Sequence, residues 1–335
     1  MPTPSPKAAL TITAGGHKLV GEEKANMARA RPAPQIRVGP AGWSYADWGG
    51  IVYPARRPRG FHEAGHLAQF FDTIEINTSF YQPLRPDVVR GWISRIESNP
   101  NFKFTVKLWQ RFTHERAPTR DDERMFKQGL RPLAEAGRLG ALLVQFPWSF
   151  KNTPENRHYL GSVFIQFLEY PLVLEVRHSS WNEPDVFQML AAQNIGFCNI
   201  DQPVIGHSLG PSAQATAAVG YVRLHGRNYD QWFLADDRPE ERYNYLYSLD
   251  ELGPWATRIQ SIAERADAVY VITNNHFRGK AVANALQLVN LLTGQPVRVP
   301  PTLLAHYPEL EKIAAPSTDE PEPEPPDTLF GRKGL

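Results

Sequence analysis

The chain has 335 residues, of which 42% are hydrophobic and 21% charged, so it can bury a substantial core and is not a chain disordered throughout. A formal net charge of +1 leaves no global field to gather a polyanion or an anionic bilayer. The single cysteine, Cys198, excludes an intrachain disulfide and a Cys-based zinc site, and is read as a small buried apolar group suited to a reducing cytoplasm.

Residues 1–34 scatter Pro, Gly, Ala, Lys and Arg without apolar periodicity, and they lack the roughly 7 to 15 residue apolar stretch of a secretory signal. They are predicted as a disordered extension, and the cytoplasm is the expected location. Residues 35–300 form the predicted domain. Eight short aliphatic or β-branched runs recur there: Ile36 to Val38, Thr73 to Asn77, Lys103 to Lys107, Ala141 to Gln145, Leu172 to Arg177, Gly196 to Ile200, Tyr221 to Leu224 and Ala268 to Ile272. Helix-like stretches separate them, with Val88, Val89, Trp92, Ile93 and Ile96 on one stripe and Leu252, Trp255, Ile259, Ile262 and Ala263 on another. A last helical run, Ala281 to Leu292, closes the series. No apolar run reaches the roughly 18 residues needed to cross a membrane.

Residues 301–335 are read as a C-terminal segment with an acidic, proline-rich tail. Pro316 to Asp327 holds five prolines and five acidic residues, a self-repelling tract that cannot collapse and is predicted to be disordered. Beyond it, Leu329 and Phe330 form a short apolar pair that a groove on a protein partner could accept.

Strict βα alternation predicts an α/β protein whose domain is a single (β/α)8 TIM-barrel-like fold, close to the typical size of about 250 residues for such barrels. An open doubly wound sheet is the alternative. Against it, no Gly-x-Gly-x-x-Gly follows the first strand, where Gly39-Pro40-Ala41-Gly42-Trp43 stands instead, so no nucleotide cofactor motif is present.

In such a barrel the site is built at the strand C-termini, and here those positions are polar. Trp43 follows the first strand. Glu75 and Asn77 end the second, with Phe80 and Tyr81 beyond, and Lys107 ends the third. Gln145 closes the fourth; Glu175, Arg177, His178 and Trp181 belong to the fifth; Asp201 follows the sixth. Arg223, His225 and Arg227 come from the seventh, and Asn274 and Asn275 follow the eighth. Alternate residues of a strand share a face. Glu75 with Asn77, Glu175 with Arg177, and Arg223 with His225 would then face the lumen, while Ile74, Ile76, Leu174, Val176, Val222 and Leu224 face the helices. Uncompensated charges in a lumen would cost several kcal/mol, so these groups are either a satisfied structural network or a working site.

The same segments resemble the DUF72, or YecE-like, family. The similarity runs through Gly42-Trp43-Ser44-Tyr45, Glu75-Ile76-Asn77-Thr78-Ser79-Phe80-Tyr81, Phe104-Thr105-Val106-Lys107, Val144-Gln145-Phe146-Pro147, Glu175-Val176-Arg177-His178, Tyr221-Val222-Arg223-Leu224-His225-Gly226-Arg227 and Asn274-Asn275, over roughly residues 36–295. The resemblance implies a TIM-barrel-like fold and little about activity. Two positions depart from the family pattern: Pro40-Ala41 stands where Thr-Ser is usual, and His276 with Arg278 replace a common Asp and Gly.

Chemically, the guanidinium groups of Arg177, Arg223 and Arg227, with Lys107, suit phosphate or carboxylate oxygens, or else neutralise Glu75, Glu175 and Asp201. Glu75, Glu175, Asp201 and His225 are the candidate catalytic groups, with the two glutamates as an acid and base pair. Trp43, Asn77, Tyr81, Lys107, Gln145, Arg177, His178, Trp181, Arg223, Arg227, Asn274 and Asn275 are the candidate ligand-binding residues. No metal is assigned: His114, His178, His225 and His276 with the carboxylates contain enough ligands, but no metal-binding spacing appears. The aromatic run Tyr229, Trp232, Phe233, Tyr243, Tyr245 and Tyr247 either caps the mouth and stacks on a sugar or base, or packs on itself. The leading expectation is an enzyme for a small polar, anionic compound, phosphorylated or carbohydrate-like. The alternative is a non-catalytic nucleic-acid or partner-binding protein.

Overall fold

The computed structural model of the chain describes residues 33–230 and 239–316. Apart from residues 33, 34 and 316, the predicted disordered extensions lie outside these residues, as do Leu329 and Phe330, and Trp232 and Phe233 of the aromatic run. All eight predicted strands are present: β1 Gln35–Pro40, β2 Thr73–Ile76, β3 Lys103–Lys107, β4 Leu139–Gln145, β5 Leu172–Glu175, β6 Gly196–Asp201, β7 Val219–Leu224 and β8 Ala268–Thr273. They pair in parallel in the order β1-β8-β7-β6-β5-β4-β3-β2. The ring closes at its narrowest through a bridge between Ala41 and Glu75, where the Gly42 amide donates to the Glu75 carbonyl at 2.8 Å. The open-sheet alternative is thereby excluded.

Helices separate the strands except between β6 and β7, where residues 202–218 form no helix and the expected alternation lapses: α1 Glu63–Leu67, α2 Pro86–Arg95, α3 Gln110–Thr113, α4 Arg120–Glu135, α5 Pro154–Phe167, α6 Pro184–Ala192, α7 Leu249–Ala263, α8 Lys280–Thr293 and α9 Pro301–His306. Their starts are written locally. Pro86, Pro154 and Pro184 occupy the first turns of α2, α5 and α6, where a missing N–H costs nothing. Capping boxes, Thr119 with Asp122 and Ser248 with Glu251, open α4 and α7. Ordered packing runs past residue 300: Leu303 and Leu310 are buried, and the Tyr307 hydroxyl donates to the Arg278 carbonyl at 2.7 Å. Arg278 itself sits at φ 50, in the left-handed region that glycine tolerates best, so an arginine there carries a local backbone cost.

The core between strands and helices is apolar, with Ile74, Val106, Leu142, Leu174, Val222, Trp255 and Ile259 fully buried. The lumen is filled differently. At its base Tyr270 lies against the cation of Arg37, and Gly140 supplies the space: a Cβ there would stand 2.5 Å from the Tyr270 ring. The β3 to β4 register shifts at this point, between Phe104 and Thr105. No helix among the described residues is long and apolar enough to cross a membrane.

Candidate functional site

Above that base the lumen becomes ionic, and the contacts cross it rather than follow the ladder. Strands β7 and β2 are not neighbours, yet the Tyr221 hydroxyl bridges the Glu75 carboxylate at 2.9 Å and the Thr105 hydroxyl at 2.8 Å. One layer higher, Arg223 places Nη2 2.6 Å from Glu75 and Nη1 2.8 Å from Glu175, three strands meeting at one guanidinium. Arg177 pairs with the other oxygen of Glu175 at 2.6 Å and donates to Gln202 at 2.7 Å. Alternation along β2, β5 and β7 thus turns Glu75, Glu175, Arg177, Arg223 and His225 toward one another, as strand parity required. Both carboxylates are fully buried. Burial opposes ionisation of Glu175, but Arg177 and Arg223, aided by His225, hold its carboxyl well below the usual range. His225 is driven the other way. Burial and then the two guanidinium groups keep it neutral, with Nε2 facing Glu175 at 3.4 Å and Nδ1 facing the Asn274 amide at 3.0 Å.

Over this layer opens a cavity of about 590 Å³ at the C-terminal end of the strands. Trp43, Asn77, Tyr81, Lys107, Gln145, Arg177, Arg223 and Asn274 line it, all of them predicted, together with Tyr45, Phe80, Trp92, Tyr243 and His276. A smaller recess of about 230 Å³ shares Gln145, Arg177 and Tyr243 with it and extends toward Trp148 and Gln202. His276 stacks on Tyr45 with ring centroids 4.3 Å apart and approaches Tyr243 at 5.0 Å, making one wall.

Lys107 stands apart from the other cations. Its Nζ lies 3.9 Å from the centroid of the Phe80 ring, and among the described residues no carboxylate comes within ion-pair distance of it. Burial is the main cause of its lowered pKa; Arg223 and Arg177 add to it, Glu175 and Glu75 oppose it, and the ammonium is brought down to about 7. His114, edge-on to Phe80 at 4.9 Å, is brought down to about 4 by burial and then by Lys107 and Arg177.

The other predicted residues do not join the cavity wall. Glu75, Glu175 and His225 lie beneath it. Asp201 sits on the helix-facing side of β6, where Trp255 of α7 donates to it at 2.8 Å and Arg227 grips it through Nε and Nη2. Arg227 also reaches Glu251 of the α7 capping box at 3.2 Å. This is a fastener between barrel and helix. Asp201→Asn is accordingly expected to lower stability by about 1–3 kcal/mol in urea unfolding. Trp181 is buried, stacked on Phe150, and donates to the Phe150 carbonyl. His178 caps the short turn of Ser179 to Trp181 through the Ser180 amide. Asn275 ties the Tyr245 carbonyl to Asn284 of α8, and Tyr247 is buried beside it, so that part of the aromatic run packs on itself. Tyr243 alone of the run's described members lines the cavity. Among the described residues no group of three or more His, Cys, Asp or Glu is placed to hold a metal ion.

A family model described as protein of unknown function DUF72 matches residues 37–307. The chain is 30% identical over 274 residues to the UPF0759 protein YunF of Bacillus subtilis, covering 77% of this chain and 94% of that one. It is 29% identical over 147 residues to the UPF0759 protein YecE of Escherichia coli K12, a stretch spanning 48% of YecE. The crystal structure of a DUF72 family protein from Thermotoga maritima superposes with a TM-score of 0.67 at 30% identity, covering 77% of this chain and 99% of that one.

Proposed function

The chain belongs to the DUF72 family, described as being of unknown function, and from that premise we propose that it is a cytosolic enzyme for a small anionic, phosphorylated or carbohydrate-like compound bound at the barrel mouth. Lys107 is the group that exchanges a proton with that compound. The observation that carries this reading is the division of labour among the cations. Arg177 and Arg223 are mounted on Glu175 and Glu75, whereas Lys107 lies against the Phe80 face at the cavity and, among the described residues, forms no ion pair. An anion entering there finds two oriented guanidinium groups and an amine whose pKa, about 7, is matched to proton transfer near neutrality.

The geometry favours Lys107 over the glutamates as proton carrier. Glu75 and Glu175 are buried below the cavity floor and committed to ion pairs, which suits them to orienting arginines. The buried thiol of Cys198 is in keeping with a reducing compartment.

Calorimetric titration with inorganic phosphate tests the reading. Phosphate is expected to bind the wild-type protein, and Lys107→Met to weaken it about 10- to 100-fold, the loss of one charged hydrogen bond. Absence of phosphate binding would overturn it. So would steeply salt-dependent binding of a short single-stranded oligonucleotide that ignores Lys107→Met, which is the signature of the nucleic-acid-binding alternative.

A further inference from the structure

We propose that Lys107 is an amine nucleophile: the cavity takes an aldehyde or ketone that carries an anionic group, and Lys107 condenses with its carbonyl carbon to form a protonated imine. This rests on the cavity being an anion site and deepens it by naming the functional group acted upon.

Three features of the geometry carry the inference. Lys107 is the last residue of β3, so its amine projects at the catalytic end of the barrel into a cavity of about 590 Å³, which has room for a carbon skeleton as well as the anionic group. Among the described residues the amine has no carboxylate partner, so none of them competes for its lone pair once the proton leaves. Arg177 and Arg223 line the same cavity, so an anionic group on the carbonyl compound would meet two guanidinium side chains beside the amine.

The condensation balances without any further reagent. The Nζ lone pair adds to the carbonyl carbon as the C=O π pair moves to oxygen, and the proton the nitrogen then loses goes to that oxygen, giving a neutral carbinolamine. A second proton carries that oxygen away as water, and the nitrogen lone pair forms the C=N bond. Amine, carbonyl and one proton become protonated imine and water. The product keeps the single positive charge an ammonium would carry, on the same Phe80 face, above Glu75 and Glu175. The charged and titratable groups facing it are Arg223 from β7, Arg177 and Glu175 from beyond and within β5, Glu75 from β2 and His114 from the loop after α3.

The test incubates the full-length protein with glyceraldehyde 3-phosphate and sodium cyanoborohydride, which delivers hydride to the imine carbon and fixes it as a secondary amine, followed by peptide mass mapping. Labelling is expected at Lys107 at least about tenfold faster than at other lysines, slowed by inorganic phosphate and absent at that position in Lys107→Arg. The wild-type map is itself decisive, so no variant has to fold. Labelling spread over the surface lysines without preference for Lys107 would overturn the inference. If phosphate binds calorimetrically but Lys107 is not trapped, the imine falls and the anion site stands; if phosphate does not bind, the anion site falls whatever the labelling.

Discussion

Arg223→Met is expected to destabilise the protein by about 3–5 kcal/mol, read as a fall in the urea midpoint. Arg223 is 2% exposed and holds Glu75 and Glu175 at 2.6 and 2.8 Å; neither glutamate is reached by solvent. Removing the guanidinium leaves two carboxylates in the lumen, one with the Tyr221 hydroxyl and the other with Arg177 as remaining support. The cost therefore belongs to the orphaned charges more than to the pair itself. Adding Glu75→Gln to Arg223→Met is expected to recover part of the loss. The pH dependence has a definite sign. In the wild type Glu175 is ionised well below its ordinary value, so it contributes stability that is present above about pH 4.3 and is lost as pH falls through its lower folded value. Without Arg223 that depression shrinks, and the gap between wild type and variant narrows in acid.

Lys107→Met is expected to make the protein more stable near pH 6, with the advantage shrinking as the pH approaches about 10. Folding takes Lys107 partly out of water without supplying an ion-paired carboxylate among the described residues, and its pKa falls to about 7 in the native state, while the unfolded chain keeps the usual value near 10.4. Below the lower value both states are protonated and the native state bears the full cost of the desolvated charge. Between the two values the unfolded chain binds the extra proton, so wild-type stability rises with pH, by up to about 1.4 kcal/mol per unit from this group. Methionine keeps the length and removes the slope. Urea unfolding across that range checks it. Under the proposed reading, a residue whose removal stabilises the fold while weakening phosphate binding marks a functional group held against its own preference.

Much of this was legible in the residues themselves. Eight β-branched runs with helical stripes between them specify the barrel, because period and spacing are local properties. Strand parity brought Glu75, Glu175, Arg177, Arg223 and His225 into one lumen. The same rule, applied to β6, separates Asp201 from the site: Cys198 turns into the lumen beside Glu175 of the neighbouring β5, so Asn199 and Asp201 face the helices. Trp181, His178 and Asn275 follow strand ends, yet they are consumed by loop packing, and their partners Phe150, Ser180 and Asn284 come from distances in the chain or turn geometries that no strand pattern encodes. The character of Lys107 was out of reach for a different reason. A lysine at a strand end reads as a generic cation; its low pKa arises only when burial beside Phe80 and the fields of Arg177 and Arg223 act on it together.

The most direct measurement is an NMR titration of the lysine Cε resonances in labelled protein, with the Lys107 signal assigned by its loss in Lys107→Met, run without and with inorganic phosphate. A midpoint of about 7 is expected without phosphate, moving upward when phosphate is bound, because anion and proton favour each other at one site. A midpoint near 10.4, indifferent to phosphate, would contradict the account.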